Sequence, residues 1–551
     1  MVDDLVLETW QSQVVTDILA SEFADLVAVI VCWAPADKAT PWFDNLRNLN
    51  FHRTSEIYDL YEAVCRRFLG RNLTYHRRHD LRTRIDDVPV LNVVPQRERR
   101  FFDSLAEIDL ETLRAFDFDV LIRFGFRILK GEILQMPKWG VWSFHHGDET
   151  GFRGGPSCFW EMVEGEATVG CILQVLNERL DGGRVIYKSY SSCPETLWVS
   201  SVRDQHYLKS SAFVRRCLAT LHRTGELPRQ PYTKGEALGR LYRKPGNLRA
   251  IKELGRLGFR TFHQSMANAL RYSDWSLAAR SVHEDAHPPR GLNGFRTILE
   301  NKDWSLADPN LITVDGATYC FFERYQPGRT HGHIACFRFT EGGHPSQPKA
   351  VIECDHHLSY PFVFEWDDAI YMTVEAAEAS CIKVFRADAF PLKWVEVGRM
   401  LPGQKAYDPT LFEHEGRWYL FTVIDECGGG SFDELFLFTS HTPLGPWEPH
   451  PLNPIVSDVR VARPAGRLFH SEGRLLRPAQ DCSRTYGRAI NICEVTALSP
   501  ETFSQRLVDR IEPHETGKLG CHTVSRSGGY EVIDQREYRS KLRFNRLLAA
   551  R

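Results

Sequence analysis

Residues 119–188 read DVLIRFGFRILKGEILQMPKWGVWSFHHGDETGFRGGPSCFWEMVEGEATVGCILQVLNERLDGGRVIYK. An apolar strand, a short loop, a histidine pair, a glycine-rich turn and an Asp-Gly-Gly corner follow one another there in close order. The run 120–122 predicts a buried strand, 130–136 a short helix, and 141–144 a second strand that delivers His145 at its carboxyl end. In an open α/β sheet the carboxyl ends of strands are where ligands bind, so His145 is the first candidate for chemistry.

Outward from that stretch, residues 1–223 alternate between helical and strand patterns. Trp10, Val14 and Ile18 share a helical face ahead of an apolar run at 26–32, and Ile57, Leu60, Val64 and Phe68 repeat the spacing. A strand at 88–94, a helix capped by Asp109 and the strand at Val120 follow, which predicts an open parallel α/β sheet wrapped by helices. No Gly-x-Gly-x-x-Gly follows the first strand, which argues against a dinucleotide cofactor. Asp3 and Asp4 interrupt the segment that should form the buried first strand.

Four anchors, Gly140, Ser143-Phe144-His145, Arg153-Gly154 and Leu180-Asp181-Gly182-Gly183, stand in register with a known pattern. They resemble the signature of the folate-dependent formyltransferases, in which a Gly, two apolar residues and Asn-x-His precede an Arg-Gly loop, a β-hairpin and Leu-Asp-x-Gly. The resemblance implies 10-formyltetrahydrofolate as formyl donor, with His145, Asp181 and Ser143 catalytic. Ser143 stands where the family carries asparagine, offering one hydroxyl donor in place of an amide NH2. The same resemblance places the pterin beside Arg123, Phe124, Gly125, Phe126 and Ile128, with Asn177 and Glu178 opposite, contacted largely through backbone groups. No metal is expected, because the neighbours His145-His146 and His356-His357 point to opposite faces of a strand and lack ligand spacing.

With 68 Lys plus Arg against 71 Asp plus Glu the net charge is −3, which offers no global case for nucleic acid. The 14 cysteines contain no CxxC pair and read as reduced core residues of a cytoplasmic protein. No run approaches the roughly 18 apolar residues of a transmembrane segment, and the acidic start is unlike a signal peptide. Residues 224–272 predict a basic helical connector. Over 203–271 there are 15 Lys plus Arg against 4 Asp plus Glu, and Leu248, Ile251, Leu254, Phe262 and Met266 recur at helical spacing. Such a stripe either packs on a domain or makes a peripheral membrane contact with anionic lipid, or with a diphosphate.

Residues 273–537 change to short strands, with a basic tail at 538–551. Pro309, Pro361, Pro409, Pro464 and His522 each precede an apolar stretch, a turn at Gly316, Asp368, Gly416, Gly473 and Gly529, and another strand. By subtraction the copies lie 52, 48, 55 and 58 residues apart, room for four strands each, which predicts a five-bladed β-propeller. The phrases ADPNLITVDG, SYPFVFEWDD, YDPTLFEHEG and RPAGRLFHSEG resemble the propellers of arabinanase-like glycosidases, and more closely that of glucosamine inositolphosphorylceramide transferases. Asp308, Glu323, Glu375, Asp408, Arg463, Gln480, Asp481 and His522 are expected to open onto a central channel. That mixture suits a polyhydroxyl ligand, carboxylates at suitable separation would hydrolyse a glycosidic bond, and the same residues would equally serve to tie blades together. The combined expectation is an N-formyltransferase acting on an amino sugar, as nucleotide sugar or within a glycan, with the propeller binding the acceptor. Its competitors are a catalytically silent glycan-binding protein and a propeller glycoside hydrolase.

Overall fold

The computed structural model describes residues 1–33, 54–70, 72–98, 102–179, 182–228, 239–283, 291–326 and 331–541. Leu180 and Asp181 therefore lie outside the described residues, as does most of 538–551. The chain divides into two compact units, Met1–Thr261 with Glu426–Gly430, and Phe262–Asp425 with Ser431–Arg551.

In the first unit helix α1 (Thr9–Leu19) buries Trp10, Val14, Val15 and Ile18, the expected stripe, and a capping box between Glu8 and Gln11 closes its start. Helix α2 (Glu56–Leu69) turns the other way from expectation. It buries Tyr58 and Cys65, while Leu60 and Phe68 stand 62% and 74% exposed. The reason lies outside the helix, since Tyr58 packs edge-on against Phe159 and accepts a hydrogen bond from Arg203. Helix α3 (Glu107–Arg114) starts after Ala106, so Asp109 sits inside its first turn. There it favours the helix through its charge rather than as a cap. The helix expected at 130–136 is a single 3-10 turn, Glu132–Leu134. Further on, α4 (Phe159–Glu164), α5 (Val199–Ser210) and α6 (Ala212–Thr224) follow, and the long α7 (Asn247–Leu270) runs past Thr261, the last residue of this unit, into the second.

Strand β1 (Val29–Cys32) pairs in parallel with β2 (Val90–Val93). The opening segment joins them, because Val2 bridges Val31 and the Met1 carbonyl accepts from the N–H groups of Phe124 and Gly125. Asp3 does not break this arrangement, since its carboxylate accepts the Phe126 N–H at 2.6 Å. Strands β3 (Leu121–Arg123), β4 (Val141–His145), β5 (Thr168–Val175) and β6 (Arg184–Ser192) form one sheet in the order β6-β5-β4-β3. Only β3 and β4 are parallel within it, while β5 runs antiparallel to both β4 and β6. The expected parallel sheet is thus mixed, with β3 and β4 parallel and the hairpin of the motif, β5 and β6, antiparallel. The link between β5 and β6 is too short for the crossover of a dozen or more residues that parallel pairing needs. Along β4 Val141 joins one apolar cluster and Trp142 another, as alternation on a strand requires. Both faces of this strand are therefore covered, and its carboxyl end is held in place.

The second unit is built from five antiparallel sheets that follow the five sequence copies. Sheet one joins the two ends of the unit, with Arg271–Ser281 paired residue for residue to Tyr530–Ser540. Sheets two and three begin with Ser305–Val314 and Ser359–Trp366, and sheets four and five with Ala406–His414 and Phe469–Ser471. Every expected turn is present, as two consecutive positive-φ residues: Asp315-Gly316, Asp367-Asp368, Glu415-Gly416, Glu472-Gly473 and Gly528-Gly529. That is the signature of the type I′ hairpin, whose twist matches its strands. Asp308, Tyr360 and Asp408, each before the repeated proline, are also left-handed and sit in a register shift of their strand. The residue ahead of a proline is pushed out of the right-handed helical region, and these three copies answer with the same bulge.

Sheet five approaches sheet one closely at Gly466, where φ is +122° and a Cβ would stand 2.0 Å from the Val524 carbonyl. Gly466→Ala should therefore destabilise this unit by about 1–3 kcal/mol, the cost of overpacking plus an unfavourable φ. A thermal midpoint equal to that of the parent protein would contradict this packing.

Candidate functional sites

Strand β4 delivers Ser143 and His145 on one face, paired with Gln174 and Ile172 of β5. Ser143 is 2% exposed, and its Oγ accepts a hydrogen bond from Arg123 Nη1 at 2.9 Å. Arg123 is otherwise spent on the carbonyls of Phe126 and Arg127 at 2.8 and 2.7 Å, so one guanidinium ties the 123–128 loop to the strand. Burial pulls its pKa down, with Asp3 and Asp103 acting against that. The Ser143 hydroxyl proton is directed to the Phe144 carbonyl at 3.5 Å, and donating to a ligand requires it to turn. His145 Nε2 lies 3.2 Å from the Phe152 carbonyl. With that nitrogen protonated, Nδ1 carries the lone pair. The neighbouring Phe152–Gly154 strand carries Arg153 and Gly154, so the motif's histidine and its Arg-Gly are brought together.

The other residues of the expected folate loop are structural in part. Phe124 stacks with Phe144 and meets Trp10 edge-on. Gly125 presses against Val2 and Asp3, and Phe126 is left-handed at φ +64°. Ile128 lines a cavity of about 940 Å³ together with Gly154, Gly155 and Ser157. Asn177 closes its own turn through Gly182 and Arg179, and Glu178 accepts the Gly131 N–H at 3.0 Å. His146 turns away from His145 and stacks on Tyr207 at 3.6 Å. Burial holds its pKa well below that of a free imidazole.

That 940 Å³ cavity contains a group the motif reading missed. Arg203 pairs with both Glu62 oxygens at 2.9 and 3.0 Å, donates to Tyr58 at 3.0 Å and to the Ser157 carbonyl at 3.0 Å. Burial works against its charge, but Tyr58 and Glu62 outweigh burial and the guanidinium stays charged. Tyr58 and Glu62 stand four apart on α2, which is the only local signal for the pair. Their partner is more than 140 residues away.

In the second unit the expected channel residues meet in a buried cluster, except Asp481, which follows Gln480 on the strand, points to its other face and pairs with Arg510. Asp308, Glu323, Glu375, Asp408, Arg463, Gln480, Asp481 and His522 are all buried. His522 lies between Asp308, 3.0 Å from Nε2, and Asp534, 2.9 Å from Nδ1. Burial opposes its charge, yet the Asp534 and Asp308 carboxylates push its pKa up to about 10. These three side chains have the spacing of a metal trio, but both imidazole nitrogens already face carboxylates. They form a buried ion triplet.

Much of the cluster joins sheet to sheet. Asp308 accepts the Tyr360 N–H at 3.2 Å and Glu375 the Asp408 N–H at 2.9 Å. Asp408 in turn takes Arg463 Nε and Gln480 Nε2, each at 2.5 Å. Asp481 faces Arg510 at 2.7 Å, while Glu323 pairs with His357 at 3.2 Å, a hydrogen bond that raises the imidazole pKa to about 9. Burial, then the Asp408 charge, push Glu375 up to about 8 against the pull of Arg463. Glu375 thus keeps its proton near neutral pH, while, against burial, His522 holds the Asp308 carboxyl below its usual range.

Residues 300–520 match the family described as Glucosamine inositolphosphorylceramide transferase 1, N-terminal. The chain is similar to glucosamine inositolphosphorylceramide transferase 1 of Oryza sativa subsp. japonica, 35% identical over 204 residues, 36% of this chain and 27% of the relative. It is also similar to the methionyl-tRNA formyltransferase of Clostridioides difficile (strain 630), 27% identical over 120 residues, 22% of this chain and 37% of the relative. The chain thus spans less than two fifths of either relative's length. A solved structure of CoXyl43, a GH43 beta-xylosidase/alpha-arabinofuranosidase from a compost microbial metagenome, shares 15% identity at a TM-score of 0.31, covering 43% of this chain and 93% of that one.

The raised Glu375 pKa fixes the sign of a pH effect. Between the unfolded carboxyl's ordinary value and about 8 the folded state keeps a proton that the unfolded state has released, so stability falls as pH rises through that window. Glu375→Gln retains an acceptor for the Asp408 N–H and removes the titration. The thermal midpoint of the parent protein should fall more steeply from pH 5 to 8 than that of Glu375→Gln. Parallel curves would show that Glu375 does not titrate there.

Proposed function

We propose that the chain is a glycan-directed transferase whose first unit moves a formyl group from 10-formyltetrahydrofolate to the amine of an amino sugar. Its five sheets are read as the blades of a propeller that binds the acceptor. The observation that carries this reading is the placement of His145 at the carboxyl end of β4, beside the strand bearing Arg153 and Gly154, together with the similarity to a formyltransferase. Among the described residues Nδ1 of His145 has no hydrogen-bond partner, and as a lone-pair nitrogen it suits removal of a proton from the attacking ammonium. The amine nitrogen bonds to the formyl carbon, the bond from that carbon to the folate nitrogen breaks, and the proton lost by the amine passes to the folate. Asp181 is proposed as the group that carries this proton or steadies His145. Ser143, backed by the charge of Arg123, is proposed as the donor to the developing oxyanion once its hydroxyl turns from Phe144.

Carbohydrate as acceptor class follows from the second unit, where buried Arg463, Gln480, Asp308, Asp408 and Glu375 mix donors and acceptors. The similarity to a protein named glucosamine inositolphosphorylceramide transferase 1 supports it. A second reading, a catalytically silent glycan-binding protein, is favoured by the Arg123 contact that already occupies Ser143.

Incubation with 10-formyltetrahydrofolate and a panel of amino-sugar nucleotides and amino-sugar glycans separates the two. Under the transferase reading one acceptor gains about 28 daltons by mass, His145→Ala slows this by about 100-fold or more, and Ser143→Ala by about 10-fold or more. No folate binding by calorimetry, with glycan binding intact, would establish the silent reading instead.

A further inference from the structure

We infer that the second unit carries a further binding site, for a sugar acid, in a cavity of about 430 Å³ lined by Arg467. The first strands of sheets two, three and four supply residues 311–313, 363–365 and 411–413, Leu468 precedes the first strand of sheet five, and Ser527 belongs to sheet one. Asp308 and Asp408 stand earlier on two of the same strands. The cavity therefore opens where the strands near their hairpin turns, away from the buried carboxylate cluster. Its volume falls within the roughly 300–1,000 Å³ of small-molecule sites.

The guanidinium of Arg467 identifies the charge of the ligand. Two other inward-turned arginines of this region are spent on the protein. Arg463 donates to Asp408 and to the Ser431 carbonyl, and Arg477 to Gln505 and to the Ala462 and Val461 carbonyls. Arg467 instead rests over the Phe362 ring at 4.3 Å and donates only through Nη2, to the Val363 carbonyl at 2.5 Å. Its Nε–H and Nη1 hydrogens meet no acceptor, and no carboxylate pairs with it, among the described residues. Burial pulls its pKa down to about 10, with Tyr360 acting against that, so it is charged at neutral pH. Three residues after the repeated proline the other copies carry Ile312, Phe364 and Phe412. A cation in that apolar position is costly to the fold, and an anion beside it offsets the cost.

The remaining lining identifies what carries the anion. Phe412 and Trp418 are half-buried and, with Phe364, give the cavity aromatic faces. The hydroxyls of Thr313 and Ser527, 2.7 Å apart, add groups that both donate and accept. Glu365 and Glu413 are exposed members of the same lining, and they oppose a multiply charged anion. A single carboxylate on a hydroxylated ring meets all of these conditions, whereas a phosphate dianion meets only the first.

The test is calorimetry of the full chain with galacturonate, galactose and inorganic phosphate. Galacturonate should bind about 10-fold or more tighter than either of the others. Arg467→Gln keeps a donor for the Val363 carbonyl and should weaken galacturonate by about 10-fold or more, with unchanged circular dichroism. Glu365→Lys alters an exposed side chain, so it probes the site even if Arg467→Gln does not fold. It should strengthen phosphate binding by about 3-fold or more at low salt and lose that gain as salt rises. No galacturonate binding, galactose or phosphate bound as tightly, a folded Arg467→Gln that binds like the parent, or phosphate binding indifferent to Glu365→Lys would each overturn the inference. None of these measurements involves folate or formyl transfer, so their failure is distinct from failure of the transferase reading.

Discussion

A buried carboxylate accepting the backbone N–H of a left-handed residue on the adjoining sheet is the interaction on which the second unit depends. Asp308 does this for Tyr360 and Glu375 for Asp408, while Asp534 does it for Asp308 itself, at 3.1 Å. The left-handed positions pull their N–H groups out of the ladder, and a buried N–H without a partner costs about 1–3 kcal/mol. Each carboxylate answers that cost for its neighbour, so the sheets are coupled where their first strands converge. Asp308 and Asp534 are buried against His522, and Asp408 against Arg463, so each of these carboxylates has a cationic partner beside it. Taking away one member leaves the others exposed to the full penalty of an unpaired buried charge.

This constraint shapes what the cluster can do for a ligand. Asp308, Asp408 and Gln480 are largely committed to protein partners, so the proposed glycan binding would fall to the atoms and faces that remain. The guanidinium of Arg463 is flanked by the rings of Tyr407, Phe432 and Tyr486 at 5.5, 5.3 and 5.1 Å, and the protonated carboxyl of Glu375 can donate as well as accept. Rigid, pre-paired polar groups beside aromatic faces are suited to a polyhydroxyl ligand, which supplies both donors and acceptors. The structural and binding readings of the repeat are thus not exclusive, since the same residues that join sheets also set the polarity of the space between them.

The first unit is organised by two buried guanidinium groups. Arg123 gathers the loop carbonyls and Ser143, and Arg203 gathers Glu62, Tyr58 and the Ser157 carbonyl. Each replaces several water contacts with fixed protein acceptors, which a planar fork of donors does well. The price is that Ser143 is already engaged before any ligand arrives. The role proposed for it therefore depends on how easily Arg123 shares it.

What the sequence determined by itself was local. Strand β4 with His145 at its end, the stripe of α1, the five hairpin turns and the five copies all depend on residues within a few positions of one another, through alternation, helical spacing and the φ > 0 preference of Gly and Asp. The bulge before Pro309, Pro361 and Pro409 is likewise a near-neighbour effect. Tertiary structure decided the rest, because it depended on partners far along the chain. Tyr58 turned α2 over by reaching Arg203, Arg123 converted Ser143 from a free donor to an acceptor, and the channel carboxylates became sheet-to-sheet ties. On α7 the sequence established the apolar spacing, and only the fold could show that Ala250, Leu254 and Leu257 join a core cluster, since periodicity gives a helix its faces without saying which one the fold will cover.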